Sequence, residues 1–420
     1  MIDLTRTFGK DEAAFVLKNR GFLNNTQEKL IPRKGSFTSH PSLSARRYKR
    51  IIGIATSLSL LAAALPASAA NWWNQTPSIS VGPAVVNVIN FGANGNGAID
   101  DTAAFQAAIN ALPSSGGTIV VPDGTYLIDA TKGINLRSNT RLSLYGAAYL
   151  KAIPNNASFA SVVKVWNANN VEILGGHILG ERNQHLGSNG EGYGISIQES
   201  NSVYVHDITV ADSWGDGVLV GTTFGYRTFT PPTGVTLNRV TITNSRRQGL
   251  TITAANQVYV VNSSFTGSNG EAPQAGVDIE PQTLGTATQL RLENTVMSNN
   301  IGNGVEVHTN VYGLVINNNT ADNNQGYGIY ALGPTNFTVT NNQLNLNYLF
   351  GVDLDWGTNN VQMYSNTITY NGAAWFIARG LSPYTLGWAA RDITISSGAS
   401  AITQYNNTIT EVRPPSMGPI

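Results

Sequence analysis

Four ionisable side chains fall on two short stretches of the same form: Asp278 and Glu280 in Gly276-Val277-Asp278-Ile279-Glu280, and Glu306 and His308 in Gly304-Val305-Glu306-Val307-His308. If both stretches are β-strands, alternation sets these four side chains on one face and Val277, Ile279, Val305 and Val307 on the other. Adjacent strands lie about 4.8 Å apart, and residues two apart along a strand about 6.6 Å. The four groups would therefore mark the corners of one small rectangle. Carboxyl groups and an imidazole that close must perturb one another's protonation. Three kinds of chemistry are open to them. His308 suits general acid–base catalysis near neutral pH. Asp278 with Glu306, or Glu280 with either, suits the acid and base of a glycoside hydrolase. Asp278, Glu280 and Glu306 together offer oxygen ligands to Ca²⁺.

The elements that would position these groups form a repeat. The pattern of glycine, apolar, any, apolar, any recurs at Gly194, Gly217, Gly249, Gly276, Gly304, Gly328 and Gly351, in steps of 23, 32, 27, 28, 24 and 23 residues. Self-similarity at that period, with one short strand per repeat, marks a solenoid of stacked parallel strands. The third positions form a column of Ser196, Leu219, Thr251, Asp278, Glu306, Tyr330 and Asp353. The fifth positions form a second column of Gln198, Gly221, Thr253, Glu280, His308, Leu332 and Asp355. Both columns are expected to face outward from a continuous apolar core. Asparagines such as Asn299-Asn300, Asn323-Asn324 and Asn341-Asn342 recur in the turns, where they tolerate left-handed backbone and can stack from coil to coil.

Outside the repeats, Val85 to Phe91 reads as a strand, and Phe105, Ile109 and Leu112 fall on one face of a short helix that caps the open end of the solenoid. Three longer insertions could rise beside the outward columns: Leu179 to Tyr193, Thr222 to Thr233, and Ala374 to Arg391. The last carries Trp375, Phe376, Arg379, Tyr384, Trp388 and Arg391, suited either to a sugar chain or to a C-terminal cap. Asp212, Trp214 and Asp216 are explained by a turn acid and a core tryptophan, with a subsite role as the alternative.

Arg46, Arg47, Lys49 and Arg50 precede an apolar run from Ile51 to Leu65 and a small-residue site at Ala67-Ser68-Ala69. This describes a secretory signal, and the run is short for a membrane span. The expected organisation is a leader with export signal at 1–70, a linker at 71–84 and a catalytic β-helix at 85–420, in a monomer that is secreted or periplasmic. Removing the 11 basic and 4 acidic residues of the leader from 25 of each leaves 14 and 21, a net charge of −7. An acidic chain gains nothing electrostatically from nucleic acid or an anionic membrane. With no cysteine in the chain, disulfides and thiolate chemistry are excluded.

Val85 to Ile128, with NFGANGNGAIDDTAAFQAAINAL and GGTIVVPDGTYLI, resembles the opening of the pectate lyase superfamily of right-handed parallel β-helix proteins. That superfamily includes pectate lyases, polygalacturonase-like hydrolases and alginate epimerases. The resemblance implies an all-β, right-handed parallel β-helix with a short N-terminal capping helix, acting on an acidic polysaccharide. Gly304-Val305-Glu306-Val307-His308 is also similar to the short motif of alginate C5-epimerases and related lyases, with Asn303 for its tyrosine, Glu306 for its aspartate and Val307 for its proline. On that footing the expected reaction is β-elimination on a uronate polysaccharide, with glycoside hydrolysis or C5-epimerisation as the alternatives. A lyase or epimerase starts by removing the proton at C5 while the neighbouring carboxylate is neutralised. His308 could serve as base or acid, Tyr330 or Tyr327 could act from the next coil, and Arg246 or Arg247 could pair the substrate carboxylate. Asp353 and Asp355 extend the binding face. A carbohydrate-binding solenoid without catalysis would instead scatter its polar residues, whereas here the acids cluster on three of four successive coils.

Overall fold

The computed structural model describes residues 71–222, 230–281, 285–372 and 392–410. The expected leader at 1–70, the loop from Ala374 to Arg391 with its aromatic and arginine side chains, and positions 223–229 of the second insertion lie outside the described residues. Among the described residues, no helix is long and apolar enough to cross a membrane.

Two long parallel sheets make the coils. The ten-stranded sheet takes its strands in chain order, from Ile134–Leu136 through Phe159–Trp166, Glu191–Gln198, Val218–Val220, Leu250–Ile252, Val277–Ile279, Val305–Val307, Ile329–Leu332 and Val352–Asp355 to Ile393–Ile395. Every neighbouring pair is parallel, and the register joins Ser196, Leu219, Thr251, Asp278, Glu306, Tyr330 and Asp353 in one row. A 17-stranded sheet carries the other sides of the coils. Ile279 and Val307 are fully buried, as are the flanking Val277 and Val305, so the apolar positions fill the core that the repeat requires.

The glycine that opens each strand is required by close approach. A Cβ on Gly304 would lie 2.6 Å from the carbonyl oxygen of Gly328 and 2.9 Å from the side-chain nitrogen of Asn324. The same contacts recur for Gly276, with Gly304 and Asn300, and for Gly328, with Gly351 and Asn347. The space a side chain would fill is thus occupied by a ladder of buried asparagines. Asn300 donates to Asn324, Asn324 to Asn347, Asn347 to Asn371 and Asn371 to Asp392, at 2.9–3.1 Å. Each amide also donates to a main-chain carbonyl, as Asn324 does to Met297 and Asn347 to Ala321. A second ladder runs from Asn319 through Asn342 and Asn366 to Asn407. The buried asparagine amides are therefore bonded on both sides, which is the condition for burying polar groups without loss.

At the N-terminal end the helix Thr102–Ala111 packs Phe105 and Ile109 into the core, as its spacing predicts. One expectation is corrected here. The strand expected from Val85 to Phe91 spans only Ala84–Asn87, after which Val88–Phe91 turns into a 3-10 helix capped by the Asn87 side chain. Within the segment expected as a linker at 71–84, Asn238 donates to the Gln75 carbonyl at 2.8 Å, and the Arg291 guanidinium sits 4.7 Å over the Trp73 ring.

The close approach at Gly304 yields a direct expectation. Gly304→Ala should destabilise the fold by about 1–3 kcal/mol, the usual scale for overpacking, because backbone rather than a flexible side chain stands in the way. Urea denaturation would read this as a lowered midpoint, and an unchanged midpoint would show that the coils can move apart at no cost.

Candidate active site

Strands Val277–Ile279 and Val305–Val307 pair in register, which places Asp278 opposite Glu306. Glu280 and His308 follow one residue beyond the strand ends. The His308 Nε2 lies 3.3 Å from both Asp278 Oδ1 and Glu306 Oε1. Asp278, Glu280 and His308 each bring one ligand-type atom within 4.8 Å of the others. The expected rectangle therefore forms, but its expected exposure does not. Asp278 is fully buried, and Glu306 and Glu280 are only 4 % and 6 % exposed. Outward from the core is not outward to water here, because neighbouring turns and side chains cover the row. The His308 side chain, 21 % exposed, is the part of the rectangle that reaches solvent.

Burial sets the electrostatics. Desolvation alone would make His308 less basic, but Asp278 and Glu306 outweigh it and push its pKa up to about 11. The raised pKa favours an imidazolium at neutral pH, the acid form of the two roles open to His308. Glu280 is raised by burial and then by Asp278, against Arg247 and His308, to about 8. It holds a proton near neutrality. Asn303 donates to Glu306 Oε2 at 2.7 Å, so the residue standing where the similar motif has tyrosine holds the glutamate in place.

The arginines do something other than expected. Arg247 reaches Asp216 and Glu280, each at 3.2 Å, and Glu191 at 3.7 Å, with its side chain only 13 % exposed. It is the internal counter-ion of the cluster and does not present itself to a substrate carboxylate. Arg246 packs 3.9 Å over the Trp214 ring, pairs with Glu271 and donates to the Trp214 carbonyl at 3.1 Å. The other face of Trp214 stacks on His185 at 3.9 Å, and His185 bonds Glu181 at 3.0 Å. The loop from Leu179 to Tyr193 is thereby clamped to the side of the coils, and Trp214 is part of that clamp, not of the core.

Asp216, expected as a turn acid with a subsite role as the alternative, joins the cluster through Arg247 at 3.2 Å. It is fully buried, and burial raises its pKa to about 6 despite Arg247. It accepts from the Gln248 main chain at 3.2 Å and the Thr251 hydroxyl at 2.8 Å, while the Gln248 side chain donates to Asp278 at 2.9 Å. The one sequence signal for this was Asp216 standing between two glycines just ahead of a repeat strand. On the C-terminal side, Tyr330 is the register partner of Glu306 and donates to Asp355 at 3.2 Å. Burial and Asp355 raise the Tyr330 pKa, so its phenol stays protonated. Asp353 is 8 % exposed and lies in the same row. Lys164, missed because its strand lacks the leading glycine, continues the row past Ser196, with its amine bonded to the Lys132 carbonyl at 2.7 Å.

The expected Ca²⁺ ligands are Asp278, Glu280 and Glu306. That ion takes about six to eight oxygens, whereas the group that converges includes an imidazole nitrogen. Glu306 is held by Asn303 and His308, and Glu280 is engaged by Arg247. Two internal cations, Arg247 and His308, therefore share these carboxylates, and the ligand-type atoms that converge within 4.8 Å are those of Asp278, Glu280 and His308, not the expected Asp278, Glu280 and Glu306.

Comparison with known proteins agrees with this architecture. Residues 85–184 match the family described as "Rhamnogalacturonase A/epimerase, pectate lyase-like", and residues 235–413 match "Right handed beta helix region". The fold is a right-handed parallel β-helix, and the pectate-lyase-like similarity covers residues 85–184 of it. It is similar to protein YclG of Bacillus subtilis, 32 % identical over 276 residues covering 58 % of this chain and 47 % of that protein. It is similar to mannuronan C5-epimerase AlgE3 of Azotobacter vinelandii, 28 % identical over 244 residues covering 58 % of this chain and 12 % of that protein. The chain thus spans less than half the length of these two relatives. Among solved structures, the A-module of mannuronan C-5 epimerase AlgE4 from A. vinelandii superimposes with a TM-score of 0.57 at 17 % identity, over 78 % of this chain and 95 % of that one, a likeness of fold.

The raised pKa values define a pH dependence, to which Asp216 contributes a loss of stability between 3.8 and about 6. Glu280 and His308 both have folded pKa values above their ordinary 4.5 and 6.5, so each contributes stability at low pH that is lost as pH rises. The Glu280 loss falls between 4.5 and about 8, and the His308 loss between 6.5 and about 11. Melting temperature should therefore decline across the Glu280 window, and Glu280→Gln should flatten that decline. An equal slope in the variant would mean that Glu280 is ionised throughout.

Proposed function

We propose that this chain is an enzyme that cleaves a uronate-containing polysaccharide by β-elimination. The observation that supports it most is His308, held as an imidazolium between two buried carboxylates at the solvent edge of the row. A fixed cation there pairs with the substrate carboxylate and acidifies the adjacent C5 proton. Protonated Glu280 adds a second hydrogen-bond donor. The Glu306 carboxylate takes the proton, the C5–H electron pair forms the C4–C5 double bond, and the C4–O bond breaks. Tyr330, protonated on the neighbouring strand, supplies a proton to the departing oxygen. Asp278 sets the charge of His308, and Asp353 and Asp355 continue the binding face. No step requires a metal. The export leader expected at 1–70 would bring the enzyme to such a substrate outside the membrane.

C5-epimerisation is the second reading, favoured by the match to a mannuronan C5-epimerase. It shares the first step and ends when a proton returns to the opposite face of C5. Glycoside hydrolysis would use only two of the carboxyl groups.

The assay is turnover of pectate-type and alginate-type polyuronates, followed by ultraviolet absorbance of unsaturated ends, by reducing ends and by proton NMR. Elimination gives absorbance, hydrolysis gives reducing ends without absorbance, and epimerisation gives inverted C5 signals alone. His308→Ala and Glu306→Gln should each cost about 10²-fold or more, the scale of general acid–base catalysis. A mild effect of His308→Ala beside a severe one of Asp278→Asn would replace the lyase reading with the hydrolase. Full activity in all three variants would place the chemistry elsewhere.

A further inference from the structure

One row on the large sheet is buried where its alternation says it faces outward. Tyr204, Thr236 and Tyr259 are register partners, continued by Arg291. Their neighbours Val203, Val205, Val235, Leu237, Val258 and Val260 already fill the core. Yet Tyr204, Thr236 and Tyr259 are only 4 %, 7 % and 2 % exposed, and the adjacent Asn238 is fully buried. Beyond Arg291 the row continues as Val315 and Thr338, and both are partly exposed. Something covers the row on these coils and stops there.

The segment before the first strand meets this side of the coils at three points. Gly82 packs on Ser115 and Gly116 at the N-terminal end, Gln75 meets Asn238, and Trp73 lies under Arg291. Ala84 is joined to Leu290 through seven successive strand pairings, about 34 Å at the usual spacing. The 11 residues from Trp73 to Ala84 reach about 36–40 Å when fully extended. The segment is thus long enough to run along the stack from the first strand to Arg291. Asn71 to Val81, NWWNQTPSISV, carries no charged residue. It meets this wall through an aromatic ring and a carbonyl, which matches a wall whose Arg291 is already paired with Glu293 at 2.6 Å.

We propose that Trp72–Ile79 is an intramolecular peptide ligand whose seat is the Tyr204–Thr236–Tyr259–Arg291 groove, and that its occupancy holds together the coils that carry the candidate site. The strand bearing Tyr259 follows Leu250–Ile252 in its coil, and the strand bearing Arg291 follows Val277–Ile279. The segment is thus fastened to the back of the coils whose front carries Thr251, Asp278 and Glu280. Tethering keeps it seated, since a short tether gives a millimolar-scale effective concentration.

Hydrogen–deuterium exchange on the full chain tests this without reference to catalysis, so its outcome is independent of the proposed reaction. Trp73→Ala removes the ring at the far anchor, and Trp73→Phe retains an aromatic face. In Trp73→Ala the amides of Val258–Val260 and Leu290–Leu292 should exchange about three- to tenfold faster, the range of one cation–π contact. Those of Val361 and Met363, beyond the groove, should keep the wild-type rate, and Trp73→Phe should stay close to wild type throughout. Cleavage by a protease between Thr76 and Val85 should become faster in Trp73→Ala. Equal exchange in all three proteins, or an acceleration spread evenly to Val361 and Met363, would overturn the proposal.

Discussion

Parallel strands stacked in register leave each side chain about 4.8 Å from its counterpart on the next coil, and everything chemical in this protein follows from that constraint. A carboxylate at one position of a coil cannot avoid a carboxylate at the same position of the next. Asp278 and Glu306 are such a pair, and Glu280 and Asp216 crowd the same region. Left alone and buried, these groups would repel one another and lose their hydration, at a cost of several kcal/mol per ion. The fold meets the problem with two cations from the same coils: His308 between Asp278 and Glu306, and Arg247 between Asp216 and Glu280. The remaining imbalance is absorbed by protons, which is why Glu280 and Asp216 titrate high.

The same spacing explains the rest of the coil. Strands can sit this close at the corner only if the residue there has no side chain, and the vacated volume takes an asparagine whose amide bonds both the next asparagine and a carbonyl. Glycine row and asparagine ladder are two parts of one packing solution. A rigid corner beside the row matters for function, because groups that must keep unusual protonation states need surroundings that do not relax around them. The clamp of His185, Trp214 and Arg246, and the segment at 72–79, brace the same coils from the side and from behind.

Polarity along the solenoid also divides its roles. On the N-terminal side the row is Lys164, Ser196 and Leu219, whereas on the C-terminal side it is Asp278, Glu306, Tyr330 and Asp353. The protonated His308 and Tyr330 lie on adjacent strands at the more accessible end of the cluster, while the deepest acid, Asp278, sits behind them. A substrate would therefore meet proton donors and a cation before it met a bare carboxylate, which suits an anionic ligand.

Much of this was legible in the order of residues alone. Period and alternation determined the stacked coils, the inward Val277, Ile279, Val305 and Val307, and the adjacency of Asp278, Glu280, Glu306 and His308, because a repeating strand leaves no freedom in register. The asparagine ladders were legible for the same reason. What the repeat did not determine was depth. Whether an outward position meets water depends on turns and loops that do not repeat, so burial of Asp278, and with it the charge on His308, came only from the tertiary structure. Asp216, Arg247 and Gln248 lie in turns, where no period assigns a direction, and only packing brought them beneath the row. The seat of Trp73 under Arg291, more than 200 residues away in the chain, has no local signature at all. Local spacing determines which groups stack, whereas solvent exclusion, and therefore protonation, is decided by contacts between segments that the sequence keeps far apart.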